Sequence, residues 1–147
     1  MQQLLAFLFT ACTLITDRSG RHFARHQLPD EAARSFVQAC AELDPFNDTK
    51  RCAAFLLYMS ALESGWRLHI SGDHGHAHGP FQEWTGGEPA TWLEASRHYL
   101  STVSRAMRVC PEQVIAPLAG ERCGASAVHQ ARWAKIQMLV DSVPGEP

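Results

Sequence analysis

Apolar residues recur every three or four positions along most of this chain, a spacing that predicts amphipathic helices. A first stripe follows Pro29, a residue that suits the first turn of a helix, and it stops before Asp44. It consists of Ala33, Phe36, Val37 and Cys40. A second stripe begins after Asn47 or Asp48, either of which can cap a helix, and ends at Gly65. It consists of Cys52, Phe55, Leu56 and Met59, and its next position is Glu63.

The second half of the chain predicts two further helices, which a loop separates from the first two. The loop runs from about residue 71 to 87 and is rich in Gly and His, a composition that favours irregular structure. Helices are predicted at about 89–108 and 125–140, with a short helical turn near 111–118. Sustained alternation of apolar and polar residues, as in paired strands, is missing from the sequence. The prediction is a mainly α fold: one domain with a Gly/His-rich loop and little or no β-sheet.

The N-terminus differs from the rest, because it carries an unbroken apolar run from Leu4 to Ile15. This run is too short to cross a bilayer as a helix, which takes about 20 apolar residues. Its length suits the hydrophobic part of an export signal, although no Lys or Arg precedes it, and it suits a first core helix equally well. The chain is therefore divided into a leader and linker (1–27), a domain (28–142) and a tail (143–147).

Charge and length limit the partners that this chain can have. It carries 13 Lys and Arg against 15 Asp and Glu, a formal net charge of −2, which gives no electrostatic reason to expect nucleic acid or an anionic membrane as a partner. With 147 residues it is long enough for one buried core and short for two domains. We expect a monomer without a nucleic-acid partner, whose membrane contact is limited to the N-terminal apolar segment if that segment is retained.

The five cysteines favour an oxidising compartment. Cys40 and Cys52 flank one Pro-containing turn segment, and Cys110 and Cys123 flank another. A disulfide that closes a loop of this size stabilises a fold by roughly 3 kcal/mol. We therefore predict the pairs Cys40–Cys52 and Cys110–Cys123, an unpaired Cys12, and an exported protein (periplasmic, extracellular or virion-associated). The alternative is that all five are reduced and act as small apolar residues.

Glu63 breaks the apolar stripe of the second predicted helix. An ionised carboxylate is costly to bury, so a carboxyl group on that face is expected to be partly protonated near neutral pH. A carboxylic acid of this kind can protonate a glycosidic oxygen, which is a poor leaving group without the proton. The alternative is that the helix frays after Leu62 and Glu63 points into water.

The residues that follow Glu63 favour the catalytic interpretation. Glu63-Ser64 is followed by a loop of the pattern G-D-x-G-x-x-x-G and then by Gly79-Pro80-Phe81-Gln82. This combination resembles the goose-type lysozymes and the soluble lytic transglycosylases over the segment from Glu63 to Gln82. The resemblance implies that residues 28–142 form a lysozyme-like domain. It also implies that this domain cleaves the MurNAc–GlcNAc β-1,4 bond in the glycan strands of peptidoglycan, without a cofactor.

The resemblance also implies residue roles. Glu63 is the general acid, and the sugar-binding groove is lined by Ser64, Gly79, Phe81 and Gln82. Asp73 sits where goose-type enzymes place a carboxylate that positions the attacking water, which would give an inverting hydrolysis. Without that carboxylate, Glu63 acts first as acid and then as base, the sugar's own hydroxyl attacks, and an anhydro product forms. The sequence leaves both routes open.

Two positions depart from the family pattern. Transglycosylases carry a Tyr in a later motif near the cleft, whereas Tyr99 lies at a core position of a predicted helix. Glu83 follows Gln82 at a position that is usually apolar, and it adds a second carboxylate near the site.

A metal site is the main alternative function. His69, His74, His76 and His78 lie close in sequence to Asp73, and imidazole with carboxylate suits zinc, nickel or copper. The segment lacks two His residues one helical turn apart, and glycines between the ligands would make the site entropically costly. We therefore expect no metal there. A non-catalytic glycan-binding module is a third alternative, against which an intact Glu63 argues.

Overall fold

The computed structural model describes residues 1–83, 87–110 and 127–144, and these residues form a mainly helical fold. The α-helices are α1 Gln2–Ala11, α2 Asp30–Glu42, α3 Thr49–Ser64, α4 Trp92–Val109 and α5 Ala127–Ser142. Within the described residues, the only sheet consists of β1 Ser71–Gly72 and β2 Ala77–His78, which pair antiparallel. The predicted mainly α fold with little β-sheet is therefore confirmed.

Capping residues mark where the helices begin and end. Asp48 caps α3, because its carboxylate accepts the backbone N–H of Arg51 at 3.1 Å. Gly65 ends α3 in the left-handed conformation (φ 62°), where glycine has no steric cost. The hydroxyl of Thr91 accepts the N–H of Glu94 at 3.0 Å, so α4 begins at Trp92 and not at the predicted Pro89.

Helix α3 is the centre of the core. Its residues from Cys52 to Leu57 are buried without interruption, so it is surrounded by protein and not amphipathic. Helices α1, α2 and α5 pack against α3, and α2 also packs against α4. Tyr99 of α4 stacks between the rings of Phe55 and Phe81, with centroid distances of 5.6 and 4.4 Å. Each such side chain contributes roughly 1.5–3 kcal/mol through burial.

The N-terminal apolar run belongs to this core. Leu8, Ala11 and Cys12 are fully buried in the same cluster as the residues of α2 and α3. The predicted boundary at residue 27 therefore does not separate two packing units. The apolar run packs as a core helix. No helix in the described part of the chain is both long and apolar enough to span a membrane.

The predicted Cys40–Cys52 disulfide is confirmed, with Cα atoms 5.8 Å apart, and it joins the end of α2 to the start of α3. Cys12 is free, as predicted, and its burial raises the pKa of the thiol to about 11 while Arg25 acts in the opposite direction. Cys110 is also disulfide-bonded. Its predicted partner, Cys123, lies outside the described residues, as does the predicted turn at 111–118.

Candidate functional site

Residues 15–23, which the sequence assigned to the leader and linker, form a closed turn that we call the N-terminal loop. The N–H of Phe23 donates to the carbonyl of Ile15 at 2.9 Å and closes its base. Oδ1 of Asp17 accepts three hydrogen bonds at its tip, from the N–H (2.8 Å) and hydroxyl (2.6 Å) of Ser19 and the N–H of Arg21 (3.0 Å). The bonds from Ser19 and Arg21 hold the pKa of Asp17 below its ordinary value.

Trp66 fixes the N-terminal loop to the end of α3. Its ring contacts Phe23 with a centroid distance of 4.5 Å, and its indole N–H donates to the carbonyl of Leu57 at 3.0 Å. Trp66 is buried, so its role here is packing.

Glu63 occupies the last turn of α3, one residue before the helix ends. The helix does not fray after Leu62 but continues to Ser64. The side chain of Glu63 is 29% exposed, and its Oε1 accepts a hydrogen bond from Nη1 of Arg132 at 3.0 Å. Arg132 comes from α5, which packs against α3. The carboxyl group is therefore partly removed from water and held by a guanidinium.

Ser64 is buried and organises the residues that follow the helix. Its hydroxyl donates to the carbonyl of Ser60 at 2.9 Å and accepts the N–H of Arg67 at 3.2 Å. The carbonyl of Ser64 accepts a further bond from Nε of Arg67 at 2.8 Å. Ser64 thus positions the side chain of Arg67 beside the end of α3.

Gln82 holds together the loop that follows α3. Its side-chain amide donates to the carbonyl of Gly79 at 2.9 Å and to that of Ile70 at 3.3 Å. One side chain thus joins the residue before β1 to the residue after β2. A Cβ on Gly72 would lie 2.5 Å from Oε1 of Gln82, so a larger residue there would displace this side chain.

These elements enclose a cleft of about 670 Å³. Three predicted site residues line it together: Glu63, Ser64 and Gln82. The lining also includes Thr16, Asp17, Arg18 and Ser19 of the N-terminal loop. The volume lies within the ordinary range for small-molecule sites. The fold therefore joins a partly buried carboxyl group and the Gln of the later motif in one open cavity.

The other predicted site residues are not among the described residues that line the cleft. Phe81 is 4% exposed and stacks on Tyr99, so it is a core residue and not a groove residue. Gly79 has φ +76°, and a Cβ there would lie 2.7 Å from the ring of Pro89, so it serves backbone packing. Asp73 is exposed in the turn between β1 and β2 and is not among the described residues that line the cleft.

Glu83 turns towards α4. Its Oε2 lies 2.6 Å from Nδ1 of His98, and together they line a separate small pocket of about 70 Å³. Burial raises the pKa of Glu83, while the hydrogen bonds from His98 and Thr102 oppose that shift. The second carboxylate next to Gln82 is thus engaged with a helix and not with the cleft.

The histidines of the loop have separate partners. Nδ1 of His69 lies 3.3 Å from Oε1 of Glu88, and Nδ1 of His78 lies 3.4 Å from Oγ of Ser71. His74 and His76 are exposed. In the part of the chain that the structure describes, no group of three or more His, Cys, Asp or Glu residues is arranged to hold a metal ion.

Four charged residues of the cleft were not predicted from the sequence: Asp17, Arg18, Arg67 and Arg132. Arg132 has the clearest structural reason for its position, because two contacts of residues that follow it anchor α5. Trp133 packs edge-on against Phe46 at 5.7 Å, and Nζ of Lys50 donates to the carbonyl of Val143 at 2.8 Å. No local sequence signal points to these contacts.

Comparisons with known protein families, with curated proteins and with solved structures find no match for this chain. The likeness to lysozyme-like enzymes therefore rests on the residues from Glu63 to Gln82 and stays a prediction.

Proposed function

We propose that this protein cleaves the glycan strand of peptidoglycan, with Glu63 as the general acid at the MurNAc–GlcNAc β-1,4 bond. One observation carries the proposal. The carboxyl group of Glu63, at the end of a buried helix, opens into the same cleft of about 670 Å³ as Gln82, the residue that ends the later motif. Two residues 19 positions apart are brought to one cavity, which is the arrangement that the motif implies.

The hydrogen bond from Arg132 would give proton donation by Glu63 a defined direction. Arg132 donates to Oε1, which leaves Oε2 as the atom that would carry the proton. In the proposed reaction the bond between the sugar's anomeric carbon and the glycosidic oxygen breaks. The bonding electrons stay with that oxygen, which takes the proton from Glu63, and the sugar develops positive charge. Arg132 is the positioning residue, because it fixes the orientation of the carboxyl group.

The cleft favours the route in which Glu63 acts alone. Asp73 does not belong to the described lining, and Oδ1 of Asp17 already accepts three hydrogen bonds from its own loop. After the first step the Glu63 carboxylate would accept the proton of the sugar's own attacking hydroxyl, which gives an anhydro end. An inverting hydrolysis would require a base that activates water on the opposite face of the sugar.

Glu63→Gln tests the proposal because it keeps the shape of the side chain and removes the acidic proton. We expect a loss of at least about 10²-fold in the rate of peptidoglycan cleavage, the usual contribution of a general acid. The measurement is mass spectrometry of released glycan fragments, since anhydro and reducing ends differ by one water. Glu31→Gln is the control, because Glu31 is an exposed carboxylate on α2. Equal cleavage by both variants would remove Glu63 from the mechanism.

A further inference from the structure

The cleft contains more positive than negative charge. Its charged lining residues are Asp17, Arg18, Glu63, Arg67 and Arg132. Both acids are engaged within the protein: Glu63 with Arg132 at 3.0 Å, and Asp17 through three hydrogen bonds in its own loop. Among the described residues, neither Arg18 nor Arg67 forms an ion pair with a carboxylate. These two arginines keep donors for a ligand, and with Arg132 they outnumber the two acids of the lining, Glu63 and the exposed Asp17.

Arg67 is fixed in place before a ligand arrives. Its backbone N–H and its Nε both bond to Ser64, at 3.2 and 2.8 Å, and Ser64 is buried at the end of α3. The Nε bond uses one of the five N–H donors of a guanidinium. A restrained guanidinium suits two parallel hydrogen bonds to a carboxylate, because less side-chain entropy is lost on binding.

We infer that Arg67, together with Arg18 of the N-terminal loop, makes this site selective for a glycan that carries carboxylates. This inference rests on the proposed function and specifies its substrate. The MurNAc unit of peptidoglycan bears a lactyl carboxyl group, free or extended by an acidic peptide, whereas chitin has the same β-1,4 linkage and is neutral. Arg67 is a specificity-determining residue because it would contact the carboxylate of the substrate and not the bond that breaks.

Three substrates test the inference: a peptide-free GlcNAc–MurNAc glycan, the same glycan with its lactyl carboxyls converted to amides, and a chitin oligomer of equal length. For the wild-type protein we expect kcat/KM to be at least about tenfold higher for the carboxylated glycan than for the other two, since loss of one charged hydrogen bond costs at least that factor. The preference should shrink as salt is raised.

Arg67→Ala should lower kcat/KM for the carboxylated glycan about tenfold or more and leave the amidated glycan within about twofold. Arg67→Lys keeps the charge without the planar fork, so it should fall between the wild type and Arg67→Ala. It also separates loss of recognition from loss of folding. Arg34→Ala is the matched control, because Arg34 is exposed on α2 and does not line the cleft.

Equal kcat/KM of the wild type for carboxylated and amidated glycans would overturn the inference, and so would an equal loss on both in Arg67→Ala. Equilibrium binding of the same three glycans to Glu63→Gln separates this failure from failure of the proposed function. A protein that cleaves none of them but binds the carboxylated glycan preferentially, through Arg67, supports the selectivity and refutes the cleavage. Equal binding of all three refutes the selectivity.

Discussion

At the residue scale, Gln82 is unusual because its backbone is left-handed (φ +49°) and its side chain is hydrogen-bonded within the loop. Both bonds of its amide go to backbone carbonyls, at Gly79 and Ile70. Such a side chain determines where the cleft wall stands before any substrate contacts it. Substitutions at this position therefore act on the shape of the wall as well as on its chemistry.

Gln82→Glu should destabilise the protein by about 1–3 kcal/mol, because the new oxygen cannot donate and two hydrogen bonds are lost, each worth about 0.5–1.5 kcal/mol, although both carbonyls keep a backbone donor. The measurement is urea unfolding, together with hydrogen exchange of the β1–β2 ribbon, which should become faster. Gln3→Glu, at an exposed position of α1, is the control. If the two variants unfold at the same urea concentration, Gln82 does not hold the loop.

Glu63 and Arg132 show what a sequence reveals of a site. Glu63 stands out because an ionisable residue continues an apolar stripe and is followed by Ser and a Gly-rich loop, all of which are local patterns. Arg132 lies 69 positions later, and its contact with Glu63 depends on how α5 packs on α3. Helical periodicity predicts which residues share a face, but it does not predict which face meets which partner.

At the scale of elements, α2 and α3 could be predicted because their apolar stripes and end signals agree. Asp48 caps the start of α3, Gly65 ends it in the left-handed conformation, and Pro29 directly precedes α2. The N-terminal loop could not be predicted, because a string such as DRSGRH has no periodic pattern. Its structure comes from the Asp17 turn and from the contact between Phe23 and Trp66.

The contact between the end of the β1–β2 loop and α4 should make stability depend on pH through Glu83. Burial is the largest cause of its raised pKa, so the folded protein holds the proton more tightly than the unfolded chain does. The resulting stability is fully present below the unfolded pKa and is lost as pH rises through the higher folded pKa.

Glu83→Gln removes this titration and keeps the shape of the side chain. The free energy of unfolding of the wild type, relative to Glu83→Gln, should therefore fall as pH is raised from about 4 through the folded pKa of Glu83. Urea unfolding at a series of pH values measures it. Glu88→Gln serves as a control, because Glu88 is exposed and pairs with His69. A difference that does not change with pH, or that grows as pH rises, would contradict the raised pKa.

At the scale of the whole molecule, α1 packs as part of the same domain as α2 and α3. An apolar run such as Leu4 to Ile15 has the length of an export signal and of a core helix alike, so the sequence alone could not choose. In the structure α1 packs on α2 and α3, and the N-terminal loop that follows it forms one wall of the cleft. The site is therefore built from distant parts of the chain, among them the N-terminal loop and Arg132 of α5.

This packing predicts that the N-terminal run contributes directly to stability. Leu8 is 0% exposed, whereas Leu14, three residues beyond the end of α1, is 38% exposed, so the same substitution at both sites forms a matched pair. Leu8→Ala should lower the free energy of unfolding by about 2–5 kcal/mol, because it leaves a cavity beside α3, and Leu14→Ala should cost less than about 1 kcal/mol.

Urea unfolding measures both values, and the reaction of Cys12 with a thiol reagent gives an independent readout. Cys12 is buried, so it should react slowly in the wild type and in Leu14→Ala, and faster in Leu8→Ala, where the core opens more often. Equal stabilities of the two variants, with Cys12 readily labelled in the wild type, would mean that α1 does not form part of the core.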